Sequence, residues 1–290
     1  MAVLRYLQLD VFAPRPGTGN PLGAILDADT LSSSQMQALA AWLNLSETVF
    51  FLRPSVPGAD YHIRIFTPTR ELAFAGHPSV GAAWAAVTCE LARPRDGALL
   101  QQCAAGLLPV RVSGPAGALE IQLASPPARQ LPTAAEGAPE ALLALAARGH
   151  VPELWDNGAR WWLLPLRDAA AVRGLAPDMA ALRDWSLATD ATGVAVFADE
   201  AGSGHARVVR AFCPADAASV PEDPVTGSAN ALIGAWLRQR NALPGVEGRY
   251  IASQGREVGR DGRVHVEVDA QGTVWIGGQV QPVIDGRVRW

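Results

Sequence analysis

The sequence predicts an α+β protein of two pseudo-equivalent lobes, each a curved sheet wrapped around a central helix. Three observations lead there. Short apolar or alternating runs bounded by Gly, Pro and Asp recur at 6–12, 48–52, 61–66, 108–112, 119–123, 160–165, 193–197, 206–212, 263–268 and 273–277, and read as strands. Two helical segments, 78–89 and 229–238, are apolar on nearly every side, and a helix without a polar face is buried on every side. The two halves of the chain also echo each other. Arg64-Ile65-Phe66-Thr67-Pro68 returns 146 positions later as Arg210-Ala211-Phe212-Cys213-Pro214. Ala75-Gly76-His77-Pro78 returns 151 positions later as Thr226-Gly227-Ser228-Ala229, each time leading into an apolar helix. A weaker echo pairs Ser46-Glu47-Thr48-Val49-Phe50 with Ala191-Thr192-Gly193-Val194-Ala195.

The elements follow in order. A helix over 32–43 opens on a Ser32/Gln35 capping box and carries Met36, Leu39, Ala40 and Leu43 on one face. A further Ala/Leu-rich helix is expected over 139–147. The Gly/Pro/Ala-rich stretches 113–118 and 125–139 are expected to join the lobes. This gives an N-terminal lobe over 1–117 and a C-terminal lobe over 118–278, with a last strand over 279–290 returning to the first.

Composition excludes several chemistries. Of 290 residues, 24 are basic and 28 acidic, and all 24 basic residues are Arg. A chain without lysine cannot form the Schiff base of a pyridoxal-phosphate enzyme or supply the P-loop lysine. An apolar share of 49% with 18% charged residues supports a sizeable core. The net charge of −4 offers no basic patch for nucleic acid. Cys89, Cys103 and Cys213 lack C-x-x-C spacing and read as reduced thiols, and the five His lack metal-ligand spacing, so no metal is expected. Arg5 and Asp10 interrupt the first apolar stretch, which reads as a strand and not a signal peptide. No run approaches the ~18 apolar residues of a membrane span. The expectation is a cytoplasmic protein without membrane attachment. The nine Trp read as packing.

The repeated Gly turns carry the functional signal. A helix N-terminus leaves N–H groups unpaired at the positive end of the dipole and so binds anions. His77 then Pro78 is expected as N-cap and first helical residue, and Ser228 as the other N-cap. Gly76 and Gly227 would let the backbone approach a ligand. If the lobes face each other, both N-termini converge on a cleft suited to a small carboxylate-bearing molecule. Ordinary capping explains either motif alone.

The halves differ in their carboxylates. Glu47 precedes an apolar strand, and its echo carries none, whereas the second half offers Glu222 and Asp223 just ahead of its Gly turn. A buried Glu can act as a base or acid at carbon. One carboxylate per lobe would place a proton donor and acceptor around one substrate. Glu47 could instead cap a turn, and Asp223 before Pro224 is a common turn signal. Gly17-Thr18-Gly19-Asn20-Pro21-Leu22-Gly23 has its third Gly one position late for G-x-G-x-x-G and runs into a strand-like segment, which excludes dinucleotide binding. A hydrolytic triad of Ser228, His77 and Asp223 lacks a G-x-S-x-G elbow. A non-catalytic small-acid-binding protein is the other alternative.

Asp10-Val11-Phe12, Gly19-Asn20-Pro21-Leu22, Asn44-Leu45-Ser46-Glu47-Thr48, Phe66-Thr67-Pro68, Phe74-Ala75-Gly76-His77-Pro78 and Glu222-Asp223-Pro224-Val225-Thr226-Gly227-Ser228 together resemble the PhzF-like (phenazine biosynthesis-type) isomerase family. The resemblance runs from the first strand to the last. It implies the diaminopimelate-epimerase-like fold, with mostly antiparallel, barrel-like sheets around two central helices and the site between them. It also implies a cofactor-independent, homodimeric enzyme. Glu47 matches the family's general acid/base, with Asp223 and His77 beside it. Gly76, Gly227, Ser228, Thr226 and Asn20 match the positions around the substrate's polar groups. The related epimerases carry a cysteine pair where this chain has Ala75 and Thr226, so two-cysteine racemisation is not implied.

Overall fold

The computed structural model describes residues 2–115, 117–200, 204–214 and 221–290. The chain divides into two compact units, Met1–Ala124 with Gly277–Trp290, and Ser125–Ile276.

The first unit contains β1 (Val3–Val11), β2 (Asn20–Ile25), α1 (Ser33–Leu43), β3 (Glu47–Leu52), β4 (Tyr61–Phe66), β5 (Glu71–Leu72), α2 (Gly76–Thr88), β6 (Ala98–Cys103), β7 (Gly106–Ser113) and β8 (Glu120–Ala124). The second contains β9 (Arg129–Leu131), α3 (Glu140–Leu143), β10 (Glu153–Asp156), β11 (Arg160–Pro165), α4 (Ala169–Arg173), α5 (Met179–Ala188), β12 (Gly193–Asp199), β13 (Arg207–Phe212), β14 (Glu222–Asp223), α6 (Gly227–Gln239), β15 (Arg249–Gln254) and β16 (Gly262–Val268). A last strand, β17 (Val274–Arg289), enters the first unit at Gly277.

In the first unit the pairings close on themselves. β1 pairs β2, then β3, β4, β6, β7 and β8 follow, and β17 pairs both β8 and β1. A closed ring has no free edge strand to protect. α2 touches β1, β2, β3, β4, β6 and β8, so it fills the ring, and its residues from His77 to Ala83 are all buried. Its small residues allow the close approach. A Cβ on Gly81 would lie 2.4 Å from Leu22 Cδ2. α1 lies outside, packing Met36, Leu39 and Ala40 against Ile25, Phe50 and Phe66.

The second unit repeats the order of pairings. β2 runs parallel to β3, β3 antiparallel to β4, β4 antiparallel to β5 and parallel to β6, and β6 antiparallel to β7. Likewise β11 runs parallel to β12, β12 antiparallel to β13, β13 antiparallel to β14 and parallel to β15, and β15 antiparallel to β16. The sequence echoes now have physical content. Arg64 makes a two-pronged pair with Glu71 at 2.7 and 2.6 Å and lies over the Phe66 ring at 5.1 Å. Arg210 pairs Glu222 at 2.8 and 2.7 Å and lies over Phe212 at 4.9 Å. Each Arg–Glu fork fixes the short strand that turns back before the central helix. The outer core of the second unit stacks Trp162 on Trp185 at 4.6 Å, with α4 and α5 packed on β12.

Several elements differ from the sequence expectation. The central helices begin earlier, at Gly76 and Gly227, with Ala75 and Thr226 as N-caps in place of His77 and Ser228. Pro78 is thereby the third helical residue, where its missing N–H would have had no intrahelical partner anyway. The helix expected over 139–147 is the single turn Glu140–Leu143. Stretch 113–118 is the turn of the antiparallel β7–β8 hairpin, with Ala116 outside the described residues. β5, β6, β9, β10, β14 and β15, with α4 and α5, are not in the sequence expectation, and β9 lies within the stretch 125–139 expected to join the lobes. Asp168 and Asp178 cap those two helices.

Gly193 is the tightest backbone approach in the second unit. A Cβ there would sit 1.9 Å from the Phe212 carbonyl oxygen. Gly193→Ala is therefore expected to lower the unfolding free energy by about 3 kcal/mol, the upper end for overpacking. Denaturant unfolding checks this, and a midpoint equal to that of the unsubstituted protein would refute it.

Candidate active site

In the first unit the candidate residues collect at the N-terminal end of α2. Glu47 opens β3 opposite Leu22 of β2. His77, second in α2, turns its Nε2 to within 3.5 Å of Glu47 Oε2, and the two side chains are 7% and 18% exposed. The other side of the His77 ring meets the backbone carbonyl of Pro21. Asn20, buried, is the residue before it. Burial lowers the His77 pKa to about 3, against the smaller opposing effect of the Pro21 hydrogen bond. The ring is therefore neutral at pH 7. A carbonyl can only accept, so neutral His77 carries its hydrogen on Nδ1 and offers the Nε2 lone pair toward Glu47. A protonated Glu47 carboxyl can donate toward Nε2 in that geometry.

In the second unit the candidates lie along β14 and the start of α6. Asp223 Oδ1 accepts from Val225 N–H at 3.2 Å, closing the turn that Pro224 favours. Gln254, buried on β15 and not foreseen in the sequence, ties the segment together. It donates to the Asp223 carbonyl at 2.9 Å and to Thr226 Oγ1 at 3.0 Å. It accepts from Thr226 N–H at 3.1 Å and from Asn230 Nδ2 at 2.9 Å. In the first unit Gln101 on β6 plays a comparable part, donating to Ser79 Oγ at 3.0 Å and accepting from Tyr61, although the registers align it with Ala252 and align Gln254 with Cys103.

The starts of the helices separate into two kinds. Ser32, Asp168 and Asp178 each accept a hydrogen bond from the first turn of α1, α4 and α5. The N-caps of α2 and α6 make no such bond. Ala75 has no group to do so, and the Thr226 hydroxyl is engaged by Gln254. Among the described residues nothing accepts from the N–H groups of Gly76, His77, Gly227 or Ser228. These two long, buried helices keep their N-terminal donors open for an anion.

The repeat also explains why only one unit carries a carboxylate at this place. Thr48 pairs Phe66 as Val194 pairs Phe212, and Leu22 pairs Glu47 as Trp161 pairs Gly193. Gly193 thus occupies the place of Glu47, where any side chain would meet a carbonyl oxygen. Among the described residues Cys89, Cys103 and Cys213 stand in no disulfide, and none is an N-cap of a central helix. Ser228 Oγ accepts from the Trp161 indole at 3.0 Å, and among the described residues no His ring is hydrogen-bonded to it. Among the described residues no group of three or more His, Cys, Asp or Glu is gathered around a metal-sized space.

The family model for phenazine biosynthesis-like proteins (PhzC-PhzF) matches residues 9–286. The chain belongs to the PhzF family. A trans-2,3-dihydro-3-hydroxyanthranilate isomerase of Pseudomonas aeruginosa is 36% identical over 92% of this chain and 91% of its own. Antisense-enhancing sequence 1 of Schizosaccharomyces pombe is 32% identical over 97% of both chains. A PhzF-family crystal structure from Bacillus anthracis superposes with a TM-score of 0.85 over the whole of both chains at 24% identity, which shows a shared fold. This PhzF-family chain is an enzyme of the isomerase and epimerase type, with barrel-like closed strands, as the motifs around Glu47, His77 and Asp223 implied. No helix is long and apolar enough to cross a membrane.

The buried neutral His77 links stability to pH. Its pKa is depressed in the folded state, so unfolding takes up a proton once the pH falls below about 6.5. Its contribution is complete above that value and is lost as the pH drops toward 3, with a slope of up to about 1.4 kcal/mol per unit. His77→Gln keeps a donor for Pro21 and removes the titration. The variant is expected to lose less stability than the parent between pH 6.5 and 4 in denaturant titrations. Parallel losses would contradict the neutral, buried ring.

Proposed function

We propose that this PhzF-family protein is a cofactor-independent isomerase that moves a proton between carbons of a small, carboxylate-bearing, amino acid- or anthranilate-like substrate. The observation that carries the reading is the Glu47–His77 pair. Glu47 takes a proton from a carbon beside an activating group, and the freed electron pair shifts into the adjoining π system. The same carboxyl returns the proton at another carbon, so the double bond moves and nothing else is gained or lost. His77, neutral and anchored on Pro21, accepts a hydrogen bond from Glu47 while the carboxyl holds the proton. The open N–H groups at Gly76, Gly227 and Ser228 bind the substrate's carboxylate and other polar groups, with Asn20 and Thr226 beside them. Asp223 meets an amino or hydroxyl group. A chain without lysine has no imine route to the same outcome. The relative named for trans-2,3-dihydro-3-hydroxyanthranilate supports the substrate class. The working state in this reading is a cytoplasmic homodimer.

Incubation with trans-2,3-dihydro-3-hydroxyanthranilate in D2O, followed by NMR, tests the chemistry. The protein is expected to place solvent deuterium on carbon. Glu47→Gln is expected to slow that exchange by about 10²- to 10⁴-fold, the usual worth of a general acid/base. Full exchange by the variant would overturn the role of Glu47.

A further inference from the structure

Ser228 is the second residue of α6, and two side chains hold it from outside the helix. Trp161, on β11 and 2% exposed, donates its indole N–H to Ser228 Oγ at 3.0 Å. Asn157 donates through Nδ2 to the Ser228 carbonyl at 3.2 Å and to Ser125 Oγ at 3.1 Å. The carbonyl can only accept, which fixes the orientation of the Asn157 amide. Asn157 is 5% exposed, and its buried Oδ1 has no partner among the described residues. An unsatisfied acceptor of that kind calls for a functional reason.

We propose that Trp161, supported by Asn157, is a positioning residue that makes the Ser228 hydroxyl an obligate donor to a substrate carboxylate. This rests on the reading above, in which the start of α6 takes that carboxylate. An indole N–H can donate and never accept, so it occupies a lone pair of Oγ and directs the hydroxyl hydrogen elsewhere. Among the described residues nothing accepts that hydrogen. Ser228 therefore presents its O–H alongside the open N–H groups of Gly227 and Ser228. Three donors around one point suit a carboxylate.

The repeat gives an independent argument. His77 holds the same place in α2, 151 positions earlier. It too is tied from the strand that runs parallel to the next one along the chain, β2 in the first unit and β11 in the second. The ties have opposite polarity. The Pro21 carbonyl is an acceptor, so it leaves His77 with a free lone pair facing Glu47. The Trp161 indole is a donor, so it leaves Ser228 with a free hydrogen. One helix start is thereby set for proton transfer and the other for binding an anion, and Trp161 determines which is which.

Anthranilate binding, measured by calorimetry, tests this. Site-specific replacement of Trp161 by benzothienylalanine exchanges the N–H for sulfur at nearly constant shape, and Trp161→Phe serves as a second variant. Either is expected to weaken binding roughly tenfold, as is Ser228→Ala, consistent with a lost hydrogen bond to a charged group. In the Ser228→Ala background the Trp161 replacement should change little further. A purely structural Trp161 would weaken binding equally in both backgrounds, and that result overturns the proposal. So does unchanged binding on replacing Trp161 while Ser228→Ala weakens it, which leaves the carboxylate site intact. If Ser228→Ala has no effect, or the protein does not bind anthranilate, the carboxylate assignment fails and this inference with it.

Discussion

Two buried helices that begin without a side-chain cap are the constraint around which this protein is organised. An N-cap typically stabilises a helix by about 0.5–2 kcal/mol. α2 and α6 forgo it, although three other helices of the same chain have it. Burial makes that tolerable. α2 is wrapped by its ring of strands, and α6 buries nine residues. Buried amides then fix each first turn, Gln101 through Ser79 and Gln254 through Thr226 and Asn230. Stability thus comes from the body of each helix, and the donors at its start stay open.

The same fold unit, used twice, has been made chemically unlike at three places. Glu47 faces Gly193 in the alignment of registers, and Gly193 has no room for a side chain. His77 corresponds in the repeat to Ser228, one tied by an acceptor and the other by a donor. Ala75 faces Thr226, and neither is a thiol. A symmetric pair of bases would suit removal and return of a proton on opposite faces of one carbon. A single Glu beside a neutral imidazole suits carriage of one proton from carbon to carbon.

Legibility in the sequence followed the range of the interactions. The Ser32/Gln35 capping box is local and was read correctly. The Arg64 and Arg210 echoes marked a fork repeated in each unit, although the Glu partners were invisible until strands paired. β6 and β15 were missed because Gln101, Gln102, Ser253 and Gln254 break the apolar pattern of a buried strand. Those side chains are buried all the same, and the two Gln that hold the helix starts are satisfied by long-range hydrogen bonds. His77-Pro78 mimics an N-cap and first residue two positions beyond the true N-cap, because Pro fits equally well at the third helical position. The contrast between the halves is what singles out Glu47 and Asp223. Trp161 is indistinguishable from a packing residue in the sequence, since nothing in a strand sequence shows where an indole N–H will point.

The central claim is that the open donors of these helix starts receive the ligand's carboxylate. Backbone amide NMR during an anthranilate titration addresses it directly. The account predicts large, saturable shifts at Gly227 and Ser228, and none at Ser34 or Ala180 behind the capped starts of α1 and α5. Shifts confined to other residues, or equal shifts at capped and open helix starts, would contradict it.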